Sequence, residues 1–146
     1  LSPFTTSDRK ELPLPVLVRL IEGWGKANPG LPLAISCAPN VRERAKLAEL
    51  LAMVRGPLPW RVFDGNLNLL ELAGLIAGSR LHFGGDSGAL HVAFMLGVPT
   101  VSWWRDYAGR EEWMPEGPGH RALIGRESEG GLLGINAESL LAALTQ

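Results

Sequence analysis

The sequence predicts an α/β fold, a parallel sheet with helices wound on both of its faces. Short apolar runs alternate with amphipathic stretches along the whole chain. The connections are short, and parallel neighbours require crossovers that return right-handed. The 146 residues, 46% of them hydrophobic and 20% charged, suit one hydrophobic core, so residues 1–146 are read as one domain.

The elements follow in order. After the polar loop at residues 4–11, Pro13 opens a helix whose apolar residues Leu14, Leu17, Val18, Ile21 and Trp24 recur at helical spacing and which ends near Asn28-Pro29-Gly30. Residues 31–37 are almost wholly apolar, as expected of a strand covered on both faces. A second helix at residues 41–54 is predicted to bury Val41, Ala45, Ala48 and Leu51 and to expose Arg42, Glu43, Lys46 and Glu49, with Gly56-Pro57 as its terminator. Residues 60–63 form the next strand. Asn68 then starts a helix with Glu71 at capping-box spacing, carrying Leu69, Leu72, Ala73 and Ile76.

Residues 81–83 are predicted as a brief strand, 84–88 as a glycine-rich turn, 89–96 as a short helix closed by Gly97, and 98–103 as another strand. A polar loop at residues 105–119 precedes a strand at 121–124, and Asn136 caps a last helix with Leu140, Leu141 and Leu144.

Composition excludes several classes of function. Lys and Arg number 14 against 15 Asp and Glu, a formal charge of -1, so no basic excess exists to neutralise nucleic acid. Cys37 is the only cysteine, so no internal disulfide forms; its apolar setting reads as a strand thiol in a reducing, cytoplasmic compartment. No apolar run approaches the about 20 residues that span a bilayer. The opening Leu1 reads as the end of a strand and no initiator Met precedes it, so a longer parent protein is expected.

The densest group of chemical side chains is Gly84-Gly85-Asp86-Ser87-Gly88-Ala89-Leu90-His91, where a strand meets a helix. Glycines let a ligand approach the backbone, and the first amides of the helix, at about residues 88–91, make an anion site. His91 in the first turn is placed to donate to that anion. Asp86 would be repelled by phosphate and suits sugar hydroxyls or the amides of its own turn. Read singly, Asp86 and Ser87 are ordinary helix caps. The loop that holds Thr5, Thr6, Ser7 and Lys10 adds hydroxyls, amides and one positive charge, or is simply solvated.

Leu81-His82-Phe83-Gly84-Gly85-Asp86-Ser87-Gly88-Ala89-Leu90-His91-Val92-Ala93, followed by Leu96-Gly97-Val98-Pro99-Thr100-Val101, resembles glycosyltransferase family 9, the ADP-heptose:lipopolysaccharide heptosyltransferases. The upstream run from Asn68 to Ala77, and Thr5-Thr6 with Lys10 and Pro13, are similar to the family too, so nearly the whole chain is covered. The resemblance implies a Rossmann-like doubly wound parallel sheet, the C-terminal, donor-binding half of a GT-B glycosyltransferase whose N-terminal acceptor domain is absent from this chain.

By that resemblance Thr5, Thr6 and Lys10 hold the diphosphate, Ser87, Gly88 and His91 sit against the phosphates, Asp86 orients the sugar, and Leu67 lies near the adenine. Lys10 and Asp86 would then carry donor and leaving-group stabilisation. The implied reaction inverts the anomeric centre, moving a heptose-like sugar from a nucleotide diphosphate donor such as ADP-heptose to a lipopolysaccharide or other glycan or lipid-linked acceptor. The base comes from the missing domain, and no metal or other cofactor is implied. The parent would be cytoplasmic, peripheral at the inner face of the membrane.

Two departures stand out. Val41 replaces an acidic residue that can contact the nucleoside, and Trp103-Trp104-Arg105-Asp106 replaces a small Gly-Pro-Thr-like turn. Two rival readings remain. One is a serine esterase built on Gly85-Asp86-Ser87, against which Ala89 breaks the Gly-x-Ser-x-Gly elbow and His120 lacks the expected acidic partner. The other is a non-catalytic nucleotide-binding module.

Overall fold

The computed structural model describes residues 1–56, 60–126 and 131–145. In chain order it contains α1 (Leu14–Ala27), β1 (Leu33–Cys37), α2 (Val41–Met53), β2 (Trp60–Asp64), α3 (Leu69–Ala77), β3 (His82–Gly85), α4 (Gly88–Met95), β4 (Thr100–Trp104), β5 (His120–Ile124) and α5 (Ala137–Thr145). Strand and helix alternate as predicted, and Asn68 and Glu71 close the capping box in full. Pro57 lies outside the described residues.

All strand pairs are parallel: β1 with β2, and β3 with β4 with β5. Residues 1–2 join the two groups. The Leu1 nitrogen donates to the Ala34 carbonyl at 2.8 Å, Ser36 N donates back to the Leu1 carbonyl at 3.0 Å, and Ser2 N donates to the Phe83 carbonyl at 3.1 Å. The spatial order is therefore β2, β1, residues 1–2, β3, β4, β5. From its centre the chain first winds outward to one edge and then returns to wind to the other, the doubly wound Rossmann order. Its topological switch point lies between residues 1–2 and β3.

One face is apolar. Leu17, Leu20 and Ile21 of α1, Leu47 and Leu50 of α2, and Leu140 of α5 pack over Leu33, Ile35, Phe83, Val101 and Trp103. On the other face α3 and α4 pack around Ile76, Ala93 and Val98. Many of the strand residues that alternate with the apolar set are small or polar, and several find partners: Ser2 with Ser36 at 2.9 Å, Thr100 with His120 at 2.9 Å, and Ser102 Oγ accepting from Trp104 Nε1 at 2.8 Å.

His82 is the exception in this row. It is 4% exposed, and its Nε2 has no hydrogen-bond partner among the described residues. Burial pushes its imidazole down from 6.5 to about 3. Between those values the unfolded chain binds a proton that the folded chain refuses. The neutral imidazole thus contributes stability that is complete above about pH 6.5 and lost as the pH falls toward 3, at up to ~1.4 kcal/mol per pH unit. Urea unfolding at about pH 7 and about pH 5 is expected to show a steeper loss in the parent than in His82→Leu; equal losses would exclude His82 as the titrating group.

Three expectations are corrected. In α2 the buried residues are Glu43, Leu47 and Leu50, whereas Val41 is 86% exposed and Ala45 and Ala48 also face solvent. The helix is rotated because Asn40 caps it and Glu43 turns inward, its carboxylate accepting from Asn40 Nδ2 at 2.9 Å and from Ala38 N at 3.3 Å. In α3, Leu69 is 70% exposed rather than part of the packed stripe. Gly84 and Gly85 belong to β3 rather than to the turn after it. A Cβ on Gly84 would lie 2.6 Å from the Ser2 carbonyl oxygen, so glycine there serves close strand approach.

Candidate functional site

Two loops leave the carboxyl ends of the strands that flank the switch point: residues 3–13 after the central segment, and residues 86–87 after β3. They meet at an ion pair. Lys10 Nζ lies 2.8 Å from Asp86 Oδ2, and His91 Nε2 lies 3.6 Å from Asp86 Oδ1. Around them opens a cavity of about 620 Å³ whose walls include Thr5, Thr6, Lys10, Leu67, Asp86, Ser87, Gly88 and His91, every candidate residue named from the sequence. A larger cavity, about 1040 Å³, lies beneath α3 among Phe63, Leu75, Ile76 and His82. The smaller one is taken as the site, because the ionic groups and the helix terminus converge there, at the strand ends where open α/β sheets bind ligands.

The helix terminus is available to a ligand. Ser87 is the N-cap residue of α4 in an extended conformation, but its side chain makes no capping bond, and its buried Oγ has no partner among the described residues. The amides of Gly88, Ala89 and Leu90 precede the first intrahelical bond, which runs from His91 N to the Ser87 carbonyl at 3.3 Å. The free set is thus 88–90 rather than 88–91. Neither side chain caps the helix: the Asp86 carboxylate pairs with Lys10, and Ser87 holds the N-cap position without a side-chain bond.

Thr5 is committed within its own loop. Its hydroxyl donates to the Ser7 carbonyl at 2.9 Å, and its N–H donates to Glu11 Oε1 at 2.9 Å; Thr6 is exposed on the cavity wall. Glu11, with 1% of its side chain exposed, also receives Arg42 Nη2 at 2.8 Å and Lys46 Nζ at 2.5 Å, and Arg42 Nη1 donates to the Thr5 carbonyl at 2.9 Å. Asp8 joins the same two cations and is held at about 2, first by the Arg42 hydrogen bond and then by that of Lys46. This network ties the loop to α2. The sequence carried no signal for it, because residues 31 to 38 positions apart meet only in the folded chain.

Val41, which stands where the family can place an acid against the nucleoside, points to solvent; the acid that α2 places on the cavity wall is Glu43. Cys37 also lines the wall. Burial pushes its thiol up to about 11, with Glu43 and then Asp64 adding to the shift, so it is a poor nucleophile.

Trp103 lies in β4 as predicted, Trp104 extends the strand by one residue, and both are wholly buried. Trp103 Nε1 donates to the Lys10 carbonyl at 3.1 Å, and the Trp104 ring stands edge-on to His91 at 6.4 Å between centroids. One indole thus braces the backbone of Lys10 and the other packs against the His91 ring. His91 Nε2 faces Asp86, and Ser87 Oγ has no hydrogen-bond partner among the described residues, which leaves the esterase reading without an activated nucleophile.

Residues 7–117 match the family model of glycosyltransferase family 9 (heptosyltransferase). The chain belongs to that family. By sequence, no curated protein matches it. Among solved structures, the E. coli heptosyltransferase WaaC with ADP is similar at a TM-score of 0.71 and 17% identity, over 99% of this chain and 42% of that one. A family 9 glycosyl transferase from Veillonella parvula DSM 2008 gives 0.77 and 19%, over 97% and 43%. The E. coli ADP-heptose lps heptosyltransferase II gives 0.72 and 20%, over 99% and 44%. These likenesses establish a shared fold, and this family 9 chain spans less than half the length of each. No helix among its described residues is long and apolar enough to cross a membrane.

Proposed function

We propose that this family 9 chain is the donor-binding half of a two-domain inverting glycosyltransferase, taking a nucleotide diphosphate sugar of the ADP-heptose kind. The observation that carries the reading is the convergence, on one cavity, of Lys10, the free amides of Gly88 and Ala89, the orphan Ser87 hydroxyl and His91. A diphosphate seated there receives backbone donors at the positive end of a helix and a cation opposite. The apolar wall formed by Leu67, Leu69, Leu72 and Pro39 suits the nucleoside.

In the transfer step the bond between the anomeric carbon and the diphosphate oxygen breaks. The electron pair stays on that oxygen while an acceptor hydroxyl attacks from the opposite side. Lys10, His91 and the helix amides stabilise the departing charge. Asp86 holds Lys10 in place and offers its other oxygen to a sugar hydroxyl. The general base, and the lipopolysaccharide or other glycan acceptor, belong to the N-terminal half. A heptosyltransferase structure solved with ADP-2-deoxy-2-fluoro heptose, similar to this chain at 18% identity, supports a donor of this chemistry.

Calorimetric titration of the chain with ADP, UDP and GDP tests the reading. Saturable binding is expected, with one base preferred and the matching monophosphate weaker. Three flat titrations would refute a preformed donor site.

A further inference from the structure

The cavity has a direction. Pro39, Leu67 and Leu72 form its apolar end near β1 and α3, and Lys10, Asp86 and His91 form its ionic end beside β3. A donor with its nucleoside at the first end and its diphosphate at α4 projects its sugar past Asp86 and His91. The connection that follows β4, the strand next to β3, reaches that end through a ring contact with His91.

That connection brings an indole against His91, a residue of the cavity wall. Trp113 is 60% exposed and stands edge-on to His91, with centroids 6.2 Å apart and planes at 71°. Trp104 holds the same imidazole from within the fold at 6.4 Å. A single exposed aromatic is ordinary on a protein surface; Trp113 differs because it touches a side chain that lines the cavity.

The backbone that carries it is also braced. A 3₁₀ turn, Arg110–Glu112, starts at Gly109 with φ +89°, and both Trp113 N and Met114 N donate to the Arg110 carbonyl at 3.0 Å. Arg110 pairs with Asp106 at 2.6 Å and donates to the Tyr107 carbonyl at 3.3 Å. The Tyr107 phenol is pushed up by burial and next by the Asp86 carboxylate, so this loop lies within electrostatic reach of the ionic end.

We infer that the β4–β5 connection forms the sugar subsite of the donor cavity, with the Trp113 indole as the apolar wall for the C–H face of a pyranose. The inference rests on the donor reading above. An aromatic packed against a neighbouring ring offers a flat apolar surface, while the sugar hydroxyls point away from it toward Asp86 and solvent.

The test titrates the full chain and the Trp113→Ala and Trp113→Tyr variants with ADP, ADP-glucose and ADP-mannose. In Trp113→Ala the Kd for ADP is expected to stay within about twofold, while the ratio of the Kd for at least one ADP-hexose to that for ADP rises about fivefold. Trp113→Tyr retains most of the parent ratio. An unchanged ratio overturns the inference, as does equal weakening of ADP and ADP-hexoses, which makes Trp113 only a support for His91. Failure of the parent chain to bind ADP, UDP or GDP overturns the donor reading itself and this inference with it.

Discussion

Replacing Lys10 by alanine raises the Kd for a nucleoside diphosphate by roughly ten- to a hundredfold, the loss expected of one charge-assisted hydrogen bond of about 1.5–3 kcal/mol. Two effects add. The substitution removes the cation that faces the phosphates, and it leaves the Asp86 carboxylate, with a side chain only 14% exposed, without its lysine partner at the same place. Stability should change little, because Lys10 itself is 31% exposed and such pairs are worth about 0–1 kcal/mol. Adding Asp86→Asn to Lys10→Ala removes the repulsion and should recover part of the affinity. Calorimetry of the two single variants and the double variant closes the cycle. An unchanged Kd in Lys10→Ala would show that the phosphates sit elsewhere.

Gly85→Ala is expected to cost about 3 kcal/mol of stability, roughly 10 °C in Tm, and to weaken diphosphate binding as well. The new Cβ would lie 2.7 Å from Trp103 Nε1 and 2.9 Å from the Lys10 carbonyl oxygen. Those two atoms are the donor and acceptor of one 3.1 Å hydrogen bond, so the methyl group wedges that bond apart. Neither side yields cheaply, since Trp103 is wholly buried and the Lys10 contact is backbone. Gly88→Ala is the control. A Cβ there meets nothing within 4 Å, so a similar loss in both variants would argue against the wedge.

How much of the site was legible depended on how far apart its parts lie in the chain. Asp86, Ser87, Gly88 and His91 are contiguous and sit where a strand gives way to a helix, so composition and spacing marked them. Lys10 was marked by the hydroxyls near it in the loop. Glu11, Arg42 and Lys46 were not, because charged residues on a loop and a helix read as solvated until they are found within 3 Å of one another. Trp103 and Trp104 looked like a departure from the family turn. Only the parallel register, with Gly85 opposite Trp103, shows that they stand beneath Lys10 and His91.

The facing of α2 failed for a related reason. Periodicity ranks residues by polarity, and Glu43 is polar, yet the cap at Asn40 and two hydrogen bonds satisfy its carboxylate inside the fold. Gly84 and Gly85 failed because glycine marks both turns and close approaches, and the sequence does not say which neighbour comes close.

By itself, then, the sequence determined the alternation of strands and helices, the capping of α3, the strand-to-helix motif and the family. All of these rest on local periodicity and short spacings. Tertiary structure alone decided the strand order with residues 1–2 at its centre, the meeting of Lys10 with Asp86 across the switch point, and the supports beneath them. Such contacts join residues far apart in the chain, and their energies depend on burial and on distances that exist only once the sheet has closed around residues 1–2.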